Sequence, residues 1–381
     1  MAGILVVFGT RPEAIKLIPV VRALQRRRMA VTVCTTGQHR EILDSVLHGA
    51  GLAPDIDLAI MRDDQSPIDL MARLLPRLTK VMEEERPCRV LVHGDTTTAL
   101  VAAICAYHLE IPVGHVEAGL RSGDNRQPWP EEFNRKSISA IADLHFAPTA
   151  HAAKVLEAEG IPSASIHVTG NTSVDALHAI RSDPRYSGLS LGVRATLAST
   201  LGKRFILVTC HRRENHGRGL AQIATAIRAI ASRGDVALGI CLHPNPNAHA
   251  PLRTMLRGCE HVNLLPAPTY PDFIKLLSTA HLVLTDSGGV QEEAPALGVP
   301  VLVLRNTTER PEGIESGAAR LVGSQAETII AETYRLLDDP LAHARMKRSP
   351  FPYGDGRAGE RIASILASQR EADVSLLTAR R

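Results

Sequence analysis

The chain has 381 residues, 44% hydrophobic and 22% charged, more than one ordinary core holds, which predicts two domains of similar size. A formal net charge of +3 is no electrostatic footprint for nucleic acid, and the one basic run, Arg26 to Arg28, follows an apolar helical stretch whose C-terminus favours cations. Six scattered cysteines without a CxxC pair form neither a disulfide framework nor a zinc site and fit a reducing, cytosolic compartment, and the opening apolar run is too short for a signal peptide or membrane span.

Taken in chain order, short apolar runs alternate with longer helical patterns. Strands are predicted at Ile4–Phe8, Val31–Thr35, Val90–Val92, Val113–Val116, Leu144–Ala147 and Ile166–Val168. The second half repeats the scheme at Phe205–Thr209, Val236–Leu242, Val262–Leu265, Leu282–Thr285 and Val301–Leu304. Helical spacing marks Pro12–Arg28, Ile68–Glu85, Leu220–Ser232 and Glu327–Leu337. Continuous apolar strands joined by helices imply parallel sheets covered on both faces. Two such sets predict an α/β protein of two Rossmann-like domains facing each other across a cleft. The expected boundaries are 1–171 and 172–357, and a tail over 372–381 is expected to fray, where charge replaces a clear apolar face.

The motifs follow predicted strands, at the carboxyl edge where parallel sheets bind ligands. Residues 8–16 read FGTRPEAIK. Gly9 permits a tight turn, Pro12 suits a first helical turn, Arg11 sits at the helix mouth and Lys16 one turn inside. An ordinary strand–helix turn with surface cations also fits. Residues 93–98 read HGDTTT, with Asp95 at a strand end, either chemically active or a helix cap. HVEAGLRSGD at 115–124 and PWPEEFNR at 128–135 are richer. Glu117 ends a buried strand, where a carboxylate is costly unless paired or used. Glu131 and Glu132 open a helix, with Arg121 and Arg135 as partners. A structural salt-bridge network is the alternative reading of these residues.

In the second half, TCHRREN at 209–215 places His211, Arg212 and Arg213 at a strand end, a set suited to an anion, and His243 occupies a similar position. TDSGGVQEEAP at 285–295 carries a strand through Ser287, Gly288 and Gly289 into a helix. Glycines let backbone N–H groups approach a phosphate, and the helix N-terminus adds its positive end. Glu293 lies one turn later, within reach of ribose hydroxyls, and Arg310 in the next loop serves the same nucleotide; an ordinary glycine turn is the alternative. No phosphate-binding GxxxxGK[ST] and no strand-anchored GxGxxG occurs, so nucleoside triphosphate hydrolysis and bound NAD are not supported. No set of His, Cys and carboxylate has metal-ligand spacing.

Together the motifs GTRPEAIK, HGDTTT, HVEAGLRSGD, PWPEEFNR, HRREN, TDSGGVQEEAP, TTERPEG and PYGDGRA, in this order from Phe8 to about Arg361, resemble the non-hydrolysing bacterial UDP-N-acetylglucosamine 2-epimerase family. The resemblance implies a glycosyltransferase-B-like architecture, a homodimer, and a C-terminal helix over 358–371 crossing back to the first domain. It implies interconversion of UDP-N-acetylglucosamine and UDP-N-acetylmannosamine through elimination of UDP to 2-acetamidoglucal, with no cofactor or metal. The first domain then holds the sugar and the carboxylates Asp95, Glu117 and Glu131. The second holds UDP, through Arg11 of the first domain and His211, Phe273, Ser287, Gly288, Gly289, Glu293 and Arg310, with Phe273 at the uracil. Lys16 and His211 stabilise the departing diphosphate. Many members also bind substrate at an activator site, here involving Gln38, Glu41, Asp64, Glu131, Arg212 and His243. Strongly activated members have Gln where this chain has Glu41 and Arg where it has Asp64, so weak activation is expected. A glycosyltransferase of the same architecture, a hydrolysing epimerase and a non-catalytic nucleotide-sugar sensor are the competing readings.

Overall fold

The computed structural model describes residues 3–37, 46–60, 65–183, 188–243 and 246–379. The chain divides into two units, one of Met1–His178 with Tyr353–Arg381 and one of Ala179–Pro352.

The first unit is built on a seven-stranded sheet: β1 (Ile4–Phe8), β2 (Val31–Thr35), β3 (Ile56–Asp57), β4 (Arg89–His93), β5 (Val113–Val116), β6 (Leu144–Ala147) and β7 (Ile166–Val168). All pairings are parallel, in the order β3-β2-β1-β4-β5-β6-β7. β1 is buried throughout, as its uninterrupted apolar run requires when helices cover both faces. Strand order reverses between β1 and β4, a switch point that sets the loops after these two strands side by side. Gly9 is needed there: a Cβ would lie 2.3 Å from Thr36 Oγ1 and 2.7 Å from Thr98 Oγ1.

The helix Arg11–Arg26 starts on a capping box in which Thr10 accepts from the Glu13 N–H and Glu13 answers the Thr10 N–H, satisfying orphan donors of the first turn. Its apolar face, with Leu17, Val20, Val21 and Leu24, packs with Ile362, Ala363 and Leu366 of the last helix, Ala358–Ala379. Gly359 permits the contact, since a Cβ there would stand 2.9 Å from the Pro19 carbonyl oxygen. That last helix continues to Ala379, so the frayed tail expected from 372 is corrected. No Gly or Pro interrupts residues 360–379, and the helix propagates without an apolar stripe to extend it.

The second unit has six parallel strands: β8 (Arg204–Thr209), β9 (Val236–Cys241), β10 (Val262–Leu265), β11 (Leu282–Thr285), β12 (Val301–Val303) and β13 (Ala319–Leu321). Their order is β10-β9-β8-β11-β12-β13. The switch point falls between β8 and β11, so the loops beginning at Cys210 and Asp286 are neighbours. Leu220, Ile223, Ile227 and Ile230 of the helix Arg218–Ala231 pack under this sheet with Ile329 and Leu336.

The division at His178 lies inside the helix Thr172–Ser182, beyond the expected boundary at 171. The first turns of that helix are tied to the first unit. Thr172, Ser173 and Val174 are buried, and the half-buried Asp175 accepts the N–H groups of Ala358 (3.1 Å) and Gly359 (2.8 Å). Burial pushes the Asp175 carboxyl up, against those two hydrogen bonds. The edge strands β3 and β13 were not expected; each is two or three residues long and neither carries an apolar run. Among the described residues no helix is long and apolar enough to cross a membrane.

Candidate active site

In the first unit the loops at the carboxyl edge bring together groups from five parts of the chain. Glu117 follows β5 directly with φ +65°, a left-handed conformation that non-glycine residues adopt at a cost of order 1–3 kcal/mol and mainly where the surroundings impose it. Its Oε2 pairs with Lys16 Nζ, accepts from Asn171 Nδ2 at 2.9 Å and lies 3.6 Å from His93 Nε2. Both side chains of the Lys16–Glu117 pair are 8% exposed, which excludes the reading of Lys16 as a surface cation.

Asp95 pairs with Arg135, and its backbone carbonyl accepts from Asn134 Nδ2 at 2.8 Å. It caps no helix. Thr96 does so, accepting the Ala99 N–H at 3.0 Å and donating to Glu13 at 2.7 Å. Asp95 keeps 26% of its side chain exposed while Arg135 keeps 4%, so a buried cation holds an accessible carboxylate. Arg135 also donates to Glu132 at 3.0 Å. Glu132 is fully buried and accepts the N–H groups of Ser122 and Gly123. Of the two neighbouring glutamates, Glu132 is thus the structural anchor, and Glu131 stands beside it at the first position of the helix Glu131–Ile141. Arg121, read from sequence as a partner, instead forms a bidentate pair with Glu159 at 2.9 and 2.7 Å, because the loop turns its guanidinium toward the helix Ala150–Ala158.

Beneath these loops, His115 Nε2 is 2.8 Å from the Gly94 carbonyl oxygen, next to His93 and Asp95. Burial pushes its pKa down to about 3, so the ring is neutral and donates through Nε2. Glu13 is also buried. Burial raises its carboxyl pKa, against hydrogen bonds from Thr10, Thr96 and Gly9 and the charge of His93.

In the second unit, Ser287 is the N-cap residue of the helix Gly288–Ala296, and its own side chain makes no capping hydrogen bond. The first N–H groups of a helix have no partner within it and are ready-made anion donors. Arg310 lies against this terminus: a Cβ on Gly288 would stand 2.6 Å from Arg310 Nη1, whereas one on Gly289 would meet nothing within 4 Å. Arg310 is held by Glu292 at 2.5 Å and by Glu309. Glu309 also accepts from the fully buried Arg305 at 2.8 Å and sits 3.9 Å from Arg212. Glu214 takes the other side of Arg305 at 2.7 Å. Glu293 accepts from Tyr270 OH at 2.7 Å, and Phe273 is half-buried on the same helix, Tyr270–Thr279. Pro295 lies in the last turn of its helix, where it costs one late hydrogen bond.

His211 is built from below. The buried Asp286 accepts the N–H groups of His211 and Arg212, both at 2.9 Å, and Asn215 Nδ2 at 3.0 Å. It lies 3.4 Å from His211 Nδ1. Burial would raise the Asp286 carboxyl, but His211 and these hydrogen bonds outweigh it and hold it below the ordinary value. The His211 ring stacks on His243, centroids 5.0 Å apart. Gln38, Glu41 and Asp64 lie outside the described residues, while Arg212 and His243 flank His211.

A family model for UDP-N-acetylglucosamine 2-epimerase matches residues 22–367. The chain is 46% identical over 374 residues to the UDP-N-acetylglucosamine 2-epimerase of Yersinia pestis, covering 96% of this chain and 99% of that one. The enzyme of that name from Escherichia coli K12 is 44% identical at the same coverage. A crystal structure of UDP-GlcNAc 2-epimerase from Neisseria meningitidis bound to UDP-GlcNAc matches with a TM-score of 0.91 at 41% identity, over 96% of this chain and 100% of that one. The chain belongs to the UDP-N-acetylglucosamine 2-epimerase family. Within this epimerase frame, sequence reasoning missed His93, Asn171, Asp286 and Glu309. His93 and Asp286 stood inside quoted motifs, so their positions were visible and their partners were not. Asn171 had no signal, since it meets Glu117 across 54 residues.

Proposed function

We propose that the chain epimerises C2 of UDP-N-acetylglucosamine reversibly, giving UDP-N-acetylmannosamine, without hydrolysis. The observation that carries this reading is family membership along nearly the full length of both chains. The C2 hydrogen is not alpha to a carbonyl, so direct deprotonation is unattractive. In the elimination path a carboxylate takes the C2 proton, the C1–O bond breaks, and UDP leaves with its electron pair as C1=C2 forms. Re-addition returns UDP to C1 and a proton to the other face of C2.

The chemistry asks for proton carriers and for leaving-group stabilisation, and the chain carries both kinds of group. Asp95, Glu117 and Glu131 are assigned to proton transfer, with Arg135 and Lys16 as counter-charges to the first two. Lys16 is also assigned to the diphosphate, together with His211. Arg11, Ser287, Gly288, Gly289, Glu293 and Arg310 are assigned to UDP, and Phe273 to the uracil. The same reading places the enzyme in the cytosol as a homodimer.

Proton NMR of UDP-N-acetylglucosamine incubated with the enzyme in deuterated water tests the path. The expected product is UDP-N-acetylmannosamine with deuterium at C2. Free N-acetylmannosamine as the only sugar product, or protium retained at C2, overturns it. With Asp64 and Glu41 in the activator segment, the reverse reaction should run from purified UDP-N-acetylmannosamine alone. A strict need for a trace of UDP-N-acetylglucosamine would show that site to be working.

A further inference from the structure

The second unit holds a groove that this function does not use. It has a volume of about 710 Å³ and opens at the edge of the sheet where β8 and β11 begin. His211 and Ser287 follow the other ends of these strands, so the groove lies roughly 20 Å from them along a six-residue strand.

Its lining is selective. The chain contains 7 lysines among its 43 basic residues, and three of them, Lys203, Lys275 and Lys347, line this groove together with Arg204, His281 and His343. No aspartate or glutamate lines it. Leu197, Phe205 and Val299 supply apolar wall. His281 and His343 are stacked with centroids 3.9 Å apart, locked by His343 Nε2 on the His281 carbonyl oxygen at 2.8 Å.

Lysines at this edge have an alternative explanation, because helices that follow parallel strands end there. The C-terminal ends of four helices, Leu191–Ser199, Tyr270–Thr279, Gly288–Ala296 and Pro340–Lys347, reach the groove. Each contributes roughly half a negative charge, about −2 in all. Three of those four helices have no basic residue in their last turn. Lys275 sits mid-helix, and Lys203, just before β8, keeps its charge while donating to the His261 ring at 2.7 Å, so neither is placed as a helix-end partner. Arg204 is already paired with Asp235. Three lysine charges against about −2 leave the groove positive by roughly one charge. Burial first, then His343, Arg204 and Lys347, push the pKa of His281 down to about 4.

We propose that this groove is a second anion site, taking a phosphate-bearing small molecule with its anionic end on Lys203, Lys275 and Lys347. The apolar wall accommodates the rest of such a molecule.

Lysine labelling of the full chain by pyridoxal 5′-phosphate, trapped with borohydride and mapped by peptide mass spectrometry, tests the site without depending on activity. A phosphate-bearing aldehyde should mark Lys275 and Lys347 ahead of Lys80, Lys136 and Lys154. Inorganic pyrophosphate at ten times its dissociation constant should lower groove labelling about tenfold and leave those three lysines unchanged. If UMP protects at lower concentration than pyrophosphate, the occupant is a nucleotide; if pyrophosphate protects as well, the anion alone is recognised. Equal labelling of all exposed lysines, or no protection of Lys275 and Lys347 by either compound, overturns the site. The readout is labelling and not activity, so failure of the groove leaves the deuterium test of the epimerase reading untouched.

Discussion

Buried charge is arranged differently in the two units. In the first, Lys16 and Arg135 each face carboxylates from another segment, and Asp95 keeps a quarter of its surface while its arginine is buried. In the second, Arg305 and Arg310 are locked on Glu214, Glu292 and Glu309, and Arg310 reaches the open N-terminus of a helix. Carboxylates that remain accessible suit proton transfer. Arginines, which do not deprotonate in proteins, suit a permanent anion. The contrast fits the proposal that proton transfer belongs to the first unit and most of the UDP contacts to the second, and each part can be broken separately.

The largest effect is expected in the first unit. Glu117→Gln should lower turnover by about 100-fold or more, the scale of a general acid or base, with UDP affinity nearly kept by calorimetry. Near-normal turnover would remove Glu117 from the reaction. Lys16→Met leaves the buried Glu117 without its cation and should cost about 3–5 kcal/mol of stability in urea unfolding. A loss below 1 kcal/mol would mean that water reaches the pair.

In the second unit the effect should fall on affinity. Arg310→Ala should weaken UDP binding by about 1.5–3 kcal/mol, the range for a hydrogen bond to a charged group. Gly288→Ala sharpens the test, because the added Cβ would stand 2.6 Å from Arg310 Nη1 and displaces the guanidinium without deleting its charge. It should weaken UDP by about 1–3 kcal/mol, the usual cost of a forced shift in a packed site. Calorimetry showing unchanged UDP affinity in both variants would take Arg310 out of the binding set.

These partners also mark the limit of what the amino-acid order reveals. The long strands were legible because β1, β8 and β11 are unbroken apolar runs, and the loops at their ends because glycine and proline punctuate them. The edge strands β3 and β13 were not, since neither carries an apolar run. The carboxyl edge was legible as a place for ligands, but not the division of labour within it. Glu131 and Glu132 are adjacent and alike in sequence, and only packing shows that Glu132 anchors the Ser122–Gly123 turn. Asp286 reads as part of a glycine loop until the fold places it under His211, 75 residues away.

Acid sensitivity tests a single buried histidine of the first unit next. His115 has a folded pKa of about 3 against an ordinary value of 6.5. Between those values the unfolded chain binds a proton that the folded chain refuses, so stability falls as pH drops below 6.5 and levels off near 3. From pH 7 to pH 5 the expected contribution is about 2 kcal/mol. His115→Gln, which can still donate to Gly94 but does not titrate, should flatten the stability difference between pH 7 and pH 5 by about that amount. An unchanged difference would mean that water already protonates this ring in the folded state.

The smallest effect distinguishes two neighbours in one loop. Thr96 caps the helix Thr97–His108 and donates to Glu13, so its role is structural. Asp95, one residue earlier, caps nothing and meets Arg135. Thr96→Ala should therefore cost about 1 kcal/mol of stability, the usual value of a lost N-cap. Most of the turnover should remain at a temperature where the protein stays folded. Asp95→Asn should do the reverse, keeping the unfolding midpoint within a few degrees and losing turnover. The asparagine can still accept from Arg135, and Arg135 keeps the buried carboxylate of Glu132 at 3.0 Å, so no uncompensated buried charge is left. Parallel urea melts and initial rates on the two variants settle the matter. If Thr96→Ala loses as much turnover as Asp95→Asn while its midpoint holds, the loop acts as a unit and the separation of cap from catalyst is wrong.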